Sequence, residues 1–177
     1  MAITTLSGHA ARRPMPGIAG NARLNAIDLL KSDHRQVEKL FQQFRNTDDV
    51  PRREALVVRI CRAIEMHAQL EQEIFYPAFE EATANHALYH QAVLEHDDAA
   101  QVIGRIRSSP GAAADHYYDA RVQVLADLIQ CHVAEEEMEG GMFDLAARSG
   151  IDLDALGARL QQRKLEIMDD QREFEPR

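Results

Sequence analysis

Two copies of one pattern, His-x-x-x-Glu, constrain this 177-residue chain more than any other feature: His67 with Glu71, and His132 with Glu136. Residues four apart on an α-helix lie one above the other on a single face, so each pair aims an imidazole and a carboxylate at the same place. A lone histidine precedes each pair by a similar stretch of chain, His34 before the first and His96 before the second. The chain thus reads as two similar halves, each offering three ligands. A donor set of nitrogen and carboxylate oxygen, with no thiolate, suits a redox-active first-row metal such as iron better than a structural zinc.

The surrounding residues supply the helices. Ile27, Leu30, His34, Val37, Phe41 and Phe44 alternate three and four apart, an inward stripe with a histidine inside it. This predicts a helix over about 25–47, ended by Asp48 and Asp49, with Pro51 in the first turn of the next. The second stripe is Leu56, Ile60, Ala63, His67, Leu70 and Ile74, and Pro77 is expected to kink or end it near Tyr76. A third helix is predicted over about 86–107, with Tyr89, Val93, His96, Ala100 and Ile103 inward and Ile106 a further candidate, closed by Ser108 to Gly111. Val122, Leu125, Ile129, His132 and Glu136 form the fourth stripe, which Gly140-Gly141 should weaken or bend. A fifth segment, about Asp152 to Asp170, carries Leu153, Leu156, Leu160 and Ile167 behind an Asp152 cap. Four helices of about 20 residues joined by short turns predict an all-α fold, an antiparallel up-down four-helix bundle over residues 25–150. A C-terminal helix over 151–177 and a flexible, Gly- and Pro-containing arm over 1–24 complete the expected organisation.

Each bundle helix thus places one histidine inward, and two add a glutamate. A buried imidazole is costly unless its nitrogens find partners, and a buried carboxylate costs more. Four inward histidines and two inward glutamates are together resolved by a dication, or by two. Two fit better: carboxylates at opposing corners are natural bridges, and the histidines then divide two per ion. Two octahedral ions offer about twelve positions, and these ligands with a bridging oxo or hydroxo leave about two open for a small molecule.

Composition removes other classes. Lys and Arg total 20 against 29 acids, a net charge of −9, and Arg12, Arg13 and Arg23 all fall in the acid-free first 24 residues. That balance argues against nucleic acid, whose phosphates need clustered cations. No apolar run approaches the roughly 20 residues that span a bilayer, and the N-terminus has neither a signal-peptide nor an anchor pattern. Cys61 and Cys131 sit in helical patterns near apolar faces and read as buried reduced thiols, which makes a reducing cytoplasm the default location. There is no HExxH and no Glu-x-x-His ferritin-type pair.

Four segments, LLKSDHRQVEKLFQQF around His34, HAQLEQEIFYP from His67, LEHDDAAQVI around His96 and CHVAEEE around His132, make the chain resemble the hemerythrin-like (HHE cation-binding) domains. With IDLDALGARLQQRK the resemblance covers about residues 25–170. It implies two iron ions, oxo- or hydroxo-bridged, with His34, His67, His96 and His132 as terminal ligands and Glu71 and Glu136 as bridging carboxylates. The oxygen-carrying hemerythrins are similar but have a fifth histidine, and an Asp where Glu136 stands. No fifth inward histidine has that spacing here; His9, His86, His90 and His116 read as solvated. The missing histidine opens a further exchangeable position, which favours reactivity over reversible O2 storage. Met142 and Phe143 are expected to replace, in the second half, the apolar contacts of Phe75 and Tyr76.

Neighbouring groups extend the site. Glu38, four after His34, is a candidate further ligand or a hydrogen-bond acceptor that orients an imidazole. Glu73, Glu95, Asp97, Glu135 and Glu137 read as a solvated face that could supply such acceptors at one or two positions. Tyr76, Tyr89, Tyr117 and Tyr118 read as core or rim, with one a candidate donor to a bound oxygen species. The leading functional expectation is a non-haem di-iron protein that binds and reacts with H2O2, O2 or NO in a catalase- or peroxidase-like manner. The alternatives are a non-catalytic module that binds or senses O2, NO or iron, and an iron storage or delivery protein. The lack of cysteine in the first 24 residues weakens the delivery reading in its iron–sulfur repair form.

Overall fold

The computed structural model describes residues 24–108 and 116–173. The arm expected over residues 1–24 lies outside them except for Leu24. Among the described residues the chain is helical and without strands. The elements are α1 (Ala26–Arg45), α2 (Val50–Leu70), a π-helical turn (Glu71–Phe75), α3 (Tyr76–Thr83), α4 (His86–Arg107), α5 (His116–Glu137), α6 (Met142–Arg148) and α7 (Leu153–Glu173).

The starts of these helices are set by the sequence. Asn25 caps α1 by accepting the Asp28 N–H at 3.0 Å, and Asp49 caps α2 by accepting from Arg52 at 2.8 Å, with Pro51 in its first turn. Asn85 accepts from Leu88 at the head of α4, and Asp152 accepts from Ala155 at the head of α7. Each such cap satisfies an N–H with no partner inside its helix.

α1 pairs with α2 and α4 with α5 to form the antiparallel bundle, and α7 packs along α1 and the end of α2. Gly157 makes that packing possible: a Cβ there would lie 2.6 Å from the Leu24 carbonyl oxygen and 2.8 Å from the Ala26 nitrogen. The apolar core is in two parts. One, with Phe41, Phe44, Ile60, Ile103 and Leu125, fills the end where α1 and α4 finish. The other, with Leu30, Leu70, Phe75, Phe79, Phe143 and Leu160, fills the opposite end and includes α3, α6 and α7. A fully buried aliphatic side chain contributes about 1.5–3 kcal/mol, so these two clusters supply the stability against which a polar layer can be held between them. That layer is where the histidines and glutamates meet.

Several expectations change. Pro77 does not end the second helix. It removes the N–H that would bond to Glu73, and the chain widens into a π turn in which the Tyr76 N–H reaches back five residues to the Glu71 carbonyl. Gly140-Gly141 does more than weaken the fourth helix: α5 ends at Glu137, Gly140 takes φ +77°, and α6 begins at Met142. On α4 the buried arc runs through Ala92, His96, Ala99, Ile103 and Ile106, so Ala99 and not Ala100 faces the core. Cys61 is buried but Cys131 is exposed, and both are free thiols. No helix among the described residues is long and apolar enough to cross a membrane.

Candidate metal centre

All six residues singled out by spacing converge in the layer between the two apolar clusters, and all six are buried. The four imidazoles turn their Nε2 atoms inward. Those of His34 and His67 lie 3.0 Å apart, and those of His96 and His132 lie 3.2 Å apart. Each carboxylate reaches one histidine of each pair. A Glu71 oxygen is 3.2 Å from His67 and 3.3 Å from His96; a Glu136 oxygen is 3.4 Å from His34 and 3.5 Å from His132. The groups close enough to share a cation are His34, His67, Glu71 and Glu136, and Glu71, His96 and His132.

Tyr76 completes the layer. Its hydroxyl lies 3.0 Å from an oxygen of Glu71, 3.0 Å from an oxygen of Glu136 and 3.3 Å from His96 Nε2. In a regular α-helix a residue five beyond Glu71 points to a different face. The extra residue held by the π turn brings Tyr76 back onto the face of Glu71 and His67. Helical spacing alone makes Tyr76 core or rim; the sequence signal for its true place is Pro77, which has no N–H to continue the α-helical ladder.

The Nδ1 atoms point outward to a second set of polar groups. His34 meets Glu137 and His132 meets Glu95, both at 2.8 Å. His96 is approached by the Gln72 amide at 3.5 Å, and His67 faces Asp33 at 3.9 Å. The EHDD and EEEME runs thus supply acceptors at two positions. Asp33 and Gln72 join the site without a signal in the spacing. Glu38 is exposed on the rim of a surface cleft and lies outside the cation-binding groups, because Glu137 already occupies the outer side of His34. His86 and His90 are exposed as expected, and the side chains of His9 and His116 lie outside the described residues.

Burying these groups together shifts their titration strongly in both directions. Burial opposes charge on Glu71, yet His67 and His96 hold its carboxyl well below the usual range. Burial likewise opposes charge on His67, but the carboxylates of Glu71 and Asp33 push it up to about 10. Burial and the adjacent Glu71 charge push Glu136 up to about 8. Burial, reinforced by His67, presses His34 down to about 4. Burial and both glutamates raise Tyr76 well above its ordinary value, so it stays a protonated donor. Even so, Glu71 Oε1 and Glu136 Oε2 are buried without a hydrogen-bond partner. Leaving such an atom unsatisfied costs about 1–3 kcal/mol or more for a charged group. An all-nitrogen-and-oxygen donor set with two orphaned carboxylate oxygens fits a metal ion.

Two cavities adjoin the layer. One of about 20 Å³ is lined by the four histidines with Val37, Ile64, Ile129 and Val133, room for about one water-sized molecule. The other is a cleft of about 380 Å³ between α1 and α5, with Val37, Phe41, Ile129 and Val133 along it and His34 at its inner side.

Known proteins place this arrangement. Residues 25–141 match the hemerythrin HHE cation binding domain, and the chain belongs to that family. A hemerythrin HHE cation binding domain-containing protein from Mycobacterium kansasii has a similar fold, with a TM-score of 0.66 at 22% identity over 84% of this chain and 93% of that one. A protein described as a DNA nickase from Nostoc sp. (strain PCC 7120 / SAG 25.82 / UTEX 2576) is 25% identical over 139 residues, 77% of this chain. The alignment covers 38% of that relative, so the chain spans well under half its length. The family and the buried His/Glu cluster together mark a metal-binding site.

Proposed function

We propose that the six residues hold two iron ions, one between His34 and His67 and one between His96 and His132, with Glu71 and Glu136 bridging, and that the protein binds and reacts with a small oxygen or nitrogen species. The observation that carries this is the crosswise contact of each carboxylate with one histidine of either pair. A carboxylate serving only its own helix would touch only its own histidine.

Iron bound there would supply redox chemistry in two one-electron steps and open coordination positions. The chain supplies the rest. Val37, Ile64, Ile129 and Val133 line the inner cavity with apolar side chains and keep it small, so that only a species of very few atoms can approach the layer there. Tyr76 offers a hydrogen-bond donor beside both glutamates, within reach of a small molecule held in the layer. Glu137 and Glu95 accept from the Nδ1–H of His34 and His132, which fixes Nε2 as the inward donor. Of the small substrates, peroxide uses these parts most fully: in its disproportionation to water and O2 the protons lost by one peroxide pass to the other, so the reaction needs a two-electron centre and a hydrogen-bond donor to the oxygen that leaves as water, and Tyr76 meets the second need.

The net charge of −9 argues against a nucleic-acid partner. The nickase description belongs to a relative most of whose length has no counterpart here. The test is direct. Protein purified anaerobically and loaded with ferrous iron should retain two ions per chain, absorb in the near ultraviolet after oxidation, and evolve gas from peroxide. His96→Ala should abolish the gas evolution. A stable reversible O2 complex without turnover would favour the binding or sensing reading, and ready transfer of iron to an apo acceptor would favour storage or delivery.

A further inference from the structure

The outer layer of the site is built twice, like the inner one, but its copies are unequal. Asp33 precedes His34 and faces His67, as Glu95 precedes His96 and bonds His132. Gln72 comes directly after Glu71 and reaches His96, as Glu137 comes directly after Glu136 and bonds His34. Three of these four groups are carboxylates and one is an amide.

The difference extends one step further out. Glu137 is ion-paired to Arg35, and Asp33 to Lys164, which comes from α7 beyond the residues that match the family. Both imidazoles of the His34/His67 pair are thus backed by carboxylates that are themselves locked. Glu95, behind His132, meets no cationic partner among the described residues: the neutral Gln91 donates to it at 2.9 Å, and its other side-chain neighbour is Glu135. Gln72 is neutral, exposed and 3.5 Å from His96. His67 Nδ1 and Asp33 Oδ2 are buried, face one another at 3.9 Å, and have no hydrogen-bond partner. A cation on Nε2 makes Nδ1 the protonated nitrogen, and closing that gap then satisfies both atoms. At His96 the Gln72 amide nitrogen faces Nδ1, so the same event needs that exposed amide to turn its oxygen inward, and it gains only a neutral acceptor.

A carboxylate behind a metal-bound imidazole orients the ring and strengthens it as a donor, and losing one costs about 10–100-fold in metal affinity. Resting on the two-ion reading above, we infer that the two positions are inequivalent. The ion between His34 and His67 is the firmly held one, the ion between His96 and His132 is the exchangeable one, and Gln72 is the positioning residue that sets the difference.

The test is release of iron from protein loaded anaerobically with two ferrous ions, monitored by stopped flow against a colour-forming ferrous chelator. Wild type should release one ion fast and one slowly, in equal amplitude. Gln72→Glu should slow the fast phase by about tenfold and leave the slow one unchanged, while Asp33→Asn should speed the slow phase by about tenfold or more and leave the fast one unchanged. Far-ultraviolet circular dichroism checks folding, and Asp33→Ser, which also removes the carboxylate behind His67, asks the same question should Asp33→Asn fail to fold. A single phase carrying both ions, or a Gln72→Glu effect confined to the slow phase, would overturn the inference. Failure to retain any iron would sink the reading of the site itself, recognisable because neither phase is then seen.

Discussion

The two halves of the bundle carry the same histidines and glutamate at nearly the same spacing, yet they close the site differently. In the first half the chain runs on past Glu71 through the π turn into α3, and the fifth residue beyond the glutamate is Tyr76, whose hydroxyl lies between the two carboxylates. In the second half the fifth residue beyond Glu136 is Gly141, where the helix has already ended. A Cβ at Gly141 would run into the carbonyl oxygens of Glu135, Glu136 and Met138. The chain folds back at that point, and Phe143 of α6 stacks over His34 with ring centroids 5.7 Å apart and also packs edge-on to Phe75. Met142 and Phe143 thus join the apolar cluster as expected, but from a separate helix. The duplicated His-x-x-x-Glu pairs set where the buried imidazoles and carboxylates meet, and the residues just beyond each glutamate decide what else reaches that layer. One half contributes a hydrogen-bond donor and the other an apolar wall.

Removing the glutamates breaks the comparison hardest. Because each reaches histidines of both pairs, Glu71→Ala or Glu136→Ala should each reduce retained iron from two ions to none, read by metal analysis after desalting. One remaining ion would show that each half binds alone.

Acid should also separate the halves from their ions. At pH 7 His67 (about 10) and Glu136 (about 8) both hold protons that a cation must displace. Both folded values lie above the ordinary ones, so the protonated forms dominate below pH 8 and loading must strengthen as pH rises. The apparent affinity should therefore fall by about 100-fold for each unit of acidification below pH 8, and by about tenfold per unit between pH 8 and 10. Competition against a chelator, with proton release monitored in weak buffer, measures this; an affinity independent of pH would contradict the proton-filled site.

Gly141→Ala attacks the second half's turn. Backbone must move to admit the methyl group, at a cost of about 2–4 kcal/mol, or roughly 5–15 °C in Tm for a chain of this size, measured by thermal melting of the metal-free protein. Alanine at the fifth position in the first half meets no such turn, so Tyr76→Ala should instead show the loss of a buried aromatic side chain.

The mildest change, Tyr76→Phe, keeps the ring packing and removes only the hydroxyl. It should lower stability by about 1–2 kcal/mol in chemical denaturation. It should leave iron content near two and slow peroxide turnover more than it weakens iron binding. Equal turnover in the variant would remove Tyr76 from the proposed chemistry.

Much of this is legible without the fold, for a local reason. Helical periodicity and side-chain caps act within a few residues, so α4 begins and ends where the sequence predicts and Asp152 caps α7. The His-x-x-x-Glu pairs are set by one helical turn, and the lone histidines by the apolar stripes that contain them. The misses share a different cause. Tyr76 is hidden because a π turn shifts the register by one residue. Glu38, correct in spacing, is displaced by Glu137 from another helix. Asp33 joins the site through Lys164, 131 residues away in sequence.

The sequence by itself determined the helices, the inward faces and the six residues that meet, because each depends on the period of a single helix. Only the tertiary structure decided which histidines pair, that each glutamate reaches across to the opposite half, and which groups stand behind each imidazole. Those relations are set by how separate helices pack, and no spacing along one chain segment encodes the rotation of one helix against another.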